Sequence, residues 1–106
     1  MESTMAITGA KYSFNDTNVN NAPDKAGVYA LYEGDILIYY GRAQGGDVTI
    51  RSRLQSHLRG DEGSCTKAAS SFNSEASSSP VAREKELLAE FEKQNSRLPR
   101  CNSRVG

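Results

Sequence analysis

The sequence predicts an α/β chain of the α+β kind: a small three-stranded, mostly antiparallel sheet flanked by helices, in the order β-β-α-β-α. Three observations carry that prediction. Residues 27–43, "GVYALYEGDILIYYGRA", form the most apolar and aromatic stretch of the chain and break in the middle at a turn-like "EGD". Ile50, Leu54 and Leu58 then recur at helical spacing, and Leu87, Leu88 and Phe91 do so nearer the other end. At 106 residues, 37% of them hydrophobic, the chain has the size of one domain with a modest core.

Residues 1–25 are polar and rich in asparagine, and read as an N-terminal extension that is partly ordered at most, with Tyr12 and Phe14 able to tack it onto the core. Residues 26–106 read as one domain. Residues 27–32 and 36–41 are rich in Val, Ile, Leu and Tyr, and form a hairpin. A three-residue loop, Glu33 to Asp35, would set Tyr29 opposite Tyr39. A two-residue Gly34-Asp35 loop would set Tyr29 opposite Tyr40, and the sequence leaves both registers open. Asp47 or Thr49 then caps a helix that Gly60 stops. The polar segment 61–79 is long for a loop in so small a domain, so a third strand is expected within "KAASSFNSEA", with Phe72 facing inward. Pro80 suits the first turn of a helix running to about Asn95, and "RLPRCN" is an irregular tail.

Composition narrows the function. No apolar run is long enough to span a bilayer, and the N-terminus lacks a basic segment followed by an apolar one, so neither a membrane protein nor a secretory signal is expected. Cys65 and Cys101 have no metal-site spacing and read as two idle thiols in a reducing cytoplasm. Formal net charge is zero, which argues against a strongly electrostatic binder of nucleic acid. Charge is nonetheless uneven: residues 42–59 hold four arginines against one acid, and residues 97–104 hold three arginines and none.

Three places are unusual for a purely structural chain. On the last helix the stripe through Leu87, Leu88 and Phe91 passes through Glu84 one turn upstream, where a carboxylate is costly unless paired or metal-bound. Glu84 could equally reach water near a fraying helix end. On the first helix, Arg53 and the lone histidine, His57, lie one turn apart at the border of the apolar stripe. They suit a phosphate clamp, although such a histidine is more often a packed, hydrogen-bonded residue. In the hairpin, Gly27 and Gly41 are ordinary strand ends unless something must approach the backbone closely.

"GVY" at 27–29 and "YYG" at 39–41 resemble the two halves of the motif of the GIY-YIG nuclease superfamily. The resemblance continues through "GRA", "IRSRLQSHL", "REKELLAEF" and "LPRCN", and so spans about residues 26 to 102. It implies a GIY-YIG nuclease-like α/β module that cleaves phosphodiesters with a divalent metal. The family's two motif tyrosines fall on Tyr29 and Tyr39, its helical arginine on Arg53, its tyrosine-or-histidine position on His57, its metal-binding glutamate on Glu84 and its C-terminal asparagine on Asn102. Val28 and Tyr40 stand where the motif has isoleucines. The interval from Glu84 to Asn102 is long, so Glu90 is a second candidate for the metal.

The chemistry then expected is that of a metal-dependent endonuclease acting on DNA, with RNA as the second substrate class. Mg²⁺ or Mn²⁺ would sit on Glu84, Arg53 would clamp the scissile phosphate, and Tyr29, Tyr39 and His57 would assist the attack of water. Gly41, Arg42, Arg51 and Asn102 would line the substrate. A tyrosine serves as base near neutrality only where a cation, here the metal or Arg42, lowers its pKa. Tyr32 and Tyr40 are expected to pack. The alternatives are a non-catalytic nucleic-acid-binding module of the same fold, and a protein-interaction domain with a structural Arg53–Glu84 pair. A homodimer or a partner protein would supply specificity that so small a domain lacks.

Overall fold

The computed structural model describes residues 6–102. In chain order the elements are β1 (Tyr12–Ser13), α1 (Asp16–Asn20), β2 (Gly27–Glu33), β3 (Ile36–Ala43), α2 (Ile50–Arg59), α3 (Ser64–Lys67), β4 (Ser71–Ala76) and α4 (Pro80–Asn95). The fold is α+β, with a four-stranded, wholly antiparallel sheet in the order β1-β4-β2-β3. The expected three strands are thus four, and two short helices join the two expected. Segment 6–25, expected to be mostly loop, supplies β1 and α1. Asn15 caps α1 through its side chain, which accepts from the Asn18 amide at 2.9 Å, and Val19 and Ala22 are buried. Two apolar anchors are too few for a periodic signal in the sequence.

Strand β2 is covered on both sides because it is apolar at every position from Val28 to Tyr32, as an inner strand must be. Its alternation sorts the core into two layers. Tyr29 and Leu31 point with Ile38, Ala43 and Phe72 toward α1 and α2, where Val19, Ile50 and Leu54 meet them. Val28, Ala30 and Tyr32 point with Tyr40 toward α4, where Leu87 and Leu88 close the layer. Tyr32 and Tyr40 therefore pack, and the Tyr32 hydroxyl donates to Asn73 Oδ1 at 3.2 Å. Helix α2 begins where the apolar spacing begins: Thr49, rather than Asp47, is its cap, accepting from the Ser52 amide at 3.1 Å while the Ser52 hydroxyl accepts from the Thr49 amide at 2.9 Å.

Neither expected hairpin register occurs. The turn is the two-residue Gly34-Asp35 one, since Glu33 faces Ile36, but the pairing shifts between Tyr32 (opposite Leu37) and Leu31 (opposite Tyr39). Ile38 is the extra residue of a β-bulge. Beyond it Tyr29 lies opposite Gly41, not opposite Tyr39 or Tyr40. The bulge lets Ile38 and Tyr39, neighbours in sequence, both lean on the α2 side of the sheet. Burial of both apolar groups on one side stabilises what strict alternation would forbid.

A second correction concerns the cysteines. Cys65 on α3 and Cys101 in the tail form a disulfide, with Cα atoms 5.7 Å apart, rather than two idle thiols. The tail returns along the outer edge of β3, where the Cys101 amide donates to the Ile38 carbonyl at 2.8 Å. That return is a tertiary event which cysteine spacing does not reveal. Among the described residues, no helix is long and apolar enough to cross a membrane.

Candidate active site

A cleft of about 380 Å³ straddles edge strand β3, lined by Tyr39, Arg42, Gln44, Val48, Arg53 and Glu84. Tyr39 and Arg53 reach it from the α2 side of the sheet, and Arg42 and Glu84 from the α4 side. The bulge at Ile38 is what turns Tyr39 to that position. Of the residues singled out from the sequence, Tyr39, Arg42, Arg53 and Glu84 come together here. Arg42 and Glu84, 42 residues apart in the chain, meet because α4 packs across β2 and β3.

Tyr29 and His57 lie behind the cleft rather than in it. Tyr29 is 0% exposed and His57 1%, and the phenol oxygen and His57 Nε2 are hydrogen-bonded at 2.8 Å. The Tyr29 and Tyr39 rings are 6.2 Å apart between centroids, and the Tyr39 and His57 rings 5.0 Å. On its other side His57 Nδ1 is hydrogen-bonded to Thr66 Oγ1 at 2.8 Å. The imidazole is thus packed and fully bonded, the plainer of its two expected roles, and it is too deep to touch a bound phosphate.

Burial, aided by the facing Tyr39, pushes the Tyr29 phenol well above its ordinary pKa. Burial pushes Tyr39 up as well; Arg53 pulls the other way without cancelling it. Both phenols therefore keep their protons near neutrality. Burial, reinforced by the Arg53 charge, lowers His57 to about 4, so the ring is neutral at pH 7.

The charged groups of the cleft are already paired. Arg42 Nη1 donates to Glu84 Oε1 at 2.6 Å, with the carboxylate side chain 14% exposed and the arginine 49%. Arg53 Nη1 donates to Glu62 Oε2 at 3.0 Å. The pairing expected in the protein-interaction alternative, Arg53 with Glu84, is not the one formed. Arg42 intervenes because it shares the α4 side of β3 with Glu84, whereas Arg53 faces the loop after α2. Sequence reading missed Glu62 and Thr66, since both lie in a polar segment with neither periodicity nor motif.

Three residues expected to line the substrate do other things. Gly41 is buried beneath the end of the Tyr29 ring. Arg51 turns away from the cleft, its Nε donating to the Ala22 carbonyl at 2.9 Å and its Nη1 lying 3.8 Å from Asp24 Oδ2. Asn102 extends the sheet: its Oδ1 accepts from the Tyr40 amide at 3.0 Å, and its Nδ2 donates to the Tyr40 carbonyl at 3.0 Å. Glu90 is absent from the cleft lining and accepts from Gln94 Nε2 at 2.7 Å. Arg59, in the basic segment, pairs with Asp61 at 2.9 Å; Arg104 lies outside the described residues.

Among the described residues, no three His, Cys, Asp or Glu side chains cluster as a metal cage. Among the described residues, Glu84 is the one carboxylate lining the cleft. A single carboxylate suits Mg²⁺, which keeps several waters and often takes one or two protein oxygens; Arg42 holds Oε1 of Glu84. No family model, no curated protein and no solved structure matches the chain.

Proposed function

We propose that the chain is a divalent-metal-dependent endonuclease domain of the GIY-YIG type, hydrolysing phosphodiester bonds in DNA, with RNA as the second substrate class. One observation carries this reading: Tyr39, Arg42, Arg53 and Glu84, from β3, α2 and α4, converge on one cleft. Hydrolysis of a phosphodiester requires charge neutralisation at the phosphoryl oxygens, an oriented water, and help for the departing oxygen.

Arg53 takes the phosphate, exchanging Glu62 for two substrate oxygens in the planar geometry that guanidinium favours. Tyr39, which stays a neutral phenol, donates and accepts hydrogen bonds to orient water, and does not act as a phenolate base. Tyr29 and His57 support the Tyr39 ring from behind. Glu84 would hold Mg²⁺ or Mn²⁺, which when bound neutralises phosphate charge and acidifies its water. Gln44 and Val48 shape the mouth of the cleft.

The second reading is a nucleic-acid-binding module that does not cut. It draws on the pairing of both cleft arginines with carboxylates, which leaves neither guanidinium free. The cytoplasmic setting expected from idle thiols loses that support, since disulfides persist chiefly in oxidising surroundings. Incubation with supercoiled, linear, branched and single-stranded DNA, and with RNA, in Mg²⁺ or Mn²⁺ tests the first reading. Cleavage that disappears in Arg53→Ala and Glu84→Gln is the expected result; retained binding without cleavage would select the module.

A further inference from the structure

Thr66 follows Cys65 on the four-residue helix α3 and is 3% exposed. Its hydroxyl, His57 and the Tyr29 phenol form one buried row, with 2.8 Å at each link. The row ends in the Tyr29 ring, which lies against Tyr39 in the wall of the cleft. A neutral imidazole carries one N–H, so the row has two arrangements. In one, Tyr29 donates to Nε2 and Nδ1–H donates to Thr66. In the other, Thr66 donates to Nδ1, Nε2–H donates to the Tyr29 oxygen, and the phenol proton is free to turn toward Tyr39 and the cleft. The partner of one ring nitrogen decides the state of the other.

We propose that Thr66 is a positioning residue for the cleft: its hydroxyl holds His57 in one tautomer and thereby sets the direction of the Tyr29 hydroxyl. The consequence for cleavage rests on the nuclease reading above. Isolated single turns of helix do not hold a side chain in place, because helix nucleation is unfavourable. Here both neighbours of Thr66 are tied down. Cys65 is bonded to Cys101 in the tail, and Lys67 Nζ donates to the Leu58 carbonyl at 3.2 Å, at the end of α2. The Thr66 oxygen is thereby fixed relative to His57, the residue before Leu58 on α2. Among the described residues, His57 Nδ1 is the one hydrogen-bond partner of the Thr66 hydroxyl. Its single hydrogen therefore goes to Nδ1, and the ring proton stays on Nε2, facing the Tyr29 oxygen. Loss of the hydroxyl leaves Nδ1 buried and unpaired.

The test compares Thr66→Val, which keeps the shape and removes the hydroxyl, with Thr66→Ser, which keeps the hydroxyl. His57 ring-nitrogen chemical shifts are read by NMR at pH 7, alongside kcat and KM on a DNA that the protein cuts. Wild type and Thr66→Ser are expected to share one dominant tautomer. Thr66→Val should shift the ring nitrogens and lower kcat about tenfold or more with KM unchanged, and Thr66→Ser should regain most of that loss. Unchanged ring-nitrogen shifts in Thr66→Val overturn the proposal, as does an equal loss of kcat in both variants. If Thr66→Val does not fold, comparable amounts of both tautomers in wild type overturn it, and a single tautomer lost only in other His57-contact variants such as Tyr29→Phe does likewise. If no nucleic acid is cut by any form, shifted ring nitrogens in Thr66→Val sustain the positioning role and remove only the nuclease reading.

Discussion

Gly41 lies opposite Tyr29 on the neighbouring strand, and the end of the tyrosine ring covers it so closely that a Cβ there would stand 2.4 Å from Cζ and 2.5 Å from the hydroxyl oxygen. The glycine is needed for this approach, not for a turn, and it answers why the aromatic stretch stops at that residue. Gly41→Ala should push the Tyr29 ring off His57, since neither atom belongs to a free side-chain end. Overpacking of this kind costs about 1–3 kcal/mol. Thermal denaturation should show that loss, and an unchanged midpoint would mean the ring has room to move.

His57 makes stability depend on pH in a stated direction. Folded, it releases its proton near 4 because burial and Arg53 disfavour the charge; unfolded, it does so near 6.5. Between those values the unfolded chain holds more protons, so acid favours unfolding. The contribution is complete above about pH 6.5 and is lost as pH falls toward 4, at about 1.36 kcal/mol per pH unit across the window. Urea denaturation of wild type and His57→Gln between pH 4 and 8 should show a steeper fall in wild type. Parallel curves, or a His57 ring titrating near 6.5 in the folded protein, would contradict the burial argument.

Much of this architecture was legible in the sequence, for reasons visible in particular residues. The hairpin, α2 and α4 carry long apolar patterns, and Thr49, Gly60 and Pro80 punctuate them. Glu84 stood out because it interrupts a stripe. The bulge at Ile38 was not legible, because it arises from two adjacent side chains finding room on one side of the sheet. Nor was Thr66 legible, since a polar residue in a polar segment has no pattern to break. The pairing of Arg42 with Glu84 depends on which side of β3 the arginine takes, and that depends on the same bulge.

Reduction of Cys65–Cys101 should loosen both α3 and the tail. The bond closes a loop over a sequence separation of 36, for which chain-entropy arguments give about 3–4 kcal/mol. Urea unfolding with and without a dithiol, and of Cys65→Ser, should show a loss of that order. No change in either would indicate that the Asn102 contacts to Tyr40 hold the tail by themselves.

Arg53 and Glu62 form a partly exposed pair, so neither should matter much to folding: about 1 kcal/mol or less is expected from Arg53→Ala. Cleavage, by contrast, should fall about 10²–10³-fold, the usual cost of removing one group that stabilises charge on a reacting phosphate. Glu62→Gln should do the reverse for binding, strengthening nucleic-acid affinity by up to about fivefold by releasing Arg53. Gel-shift titrations and cleavage rates measure the two separately. Full activity in Arg53→Ala would remove it from the site.

The sharpest test concerns Glu84 and the arginine that holds it. The carboxylate is largely buried at the cleft wall, and its Oε1 accepts from Arg42 at 2.6 Å. A Mg²⁺ ion on either oxygen of this carboxylate would stand beside the Arg42 guanidinium, and the two positive charges repel, so Arg42 competes with the metal. Arg42→Ala should therefore lower the Mg²⁺ concentration needed for half-maximal cleavage, even if the loss of a phosphate-attracting cation lowers the maximal rate. Glu84→Gln keeps a hydrogen-bonding side chain of the same shape but removes the charge that a hard cation requires. It should abolish metal-dependent cleavage, and chelation with EDTA should do the same to wild type. Since Arg42 is half exposed, its orphaning in Glu84→Gln should cost about 1 kcal/mol or less, which thermal denaturation can confirm. Glu90, outside the cleft and bonded to Gln94, should tolerate Glu90→Gln without effect on rate or metal dependence. Metal-dependent cleavage that survives Glu84→Gln but fails in Glu90→Gln would move the metal to the other carboxylate and require α4 to turn from the position it holds here.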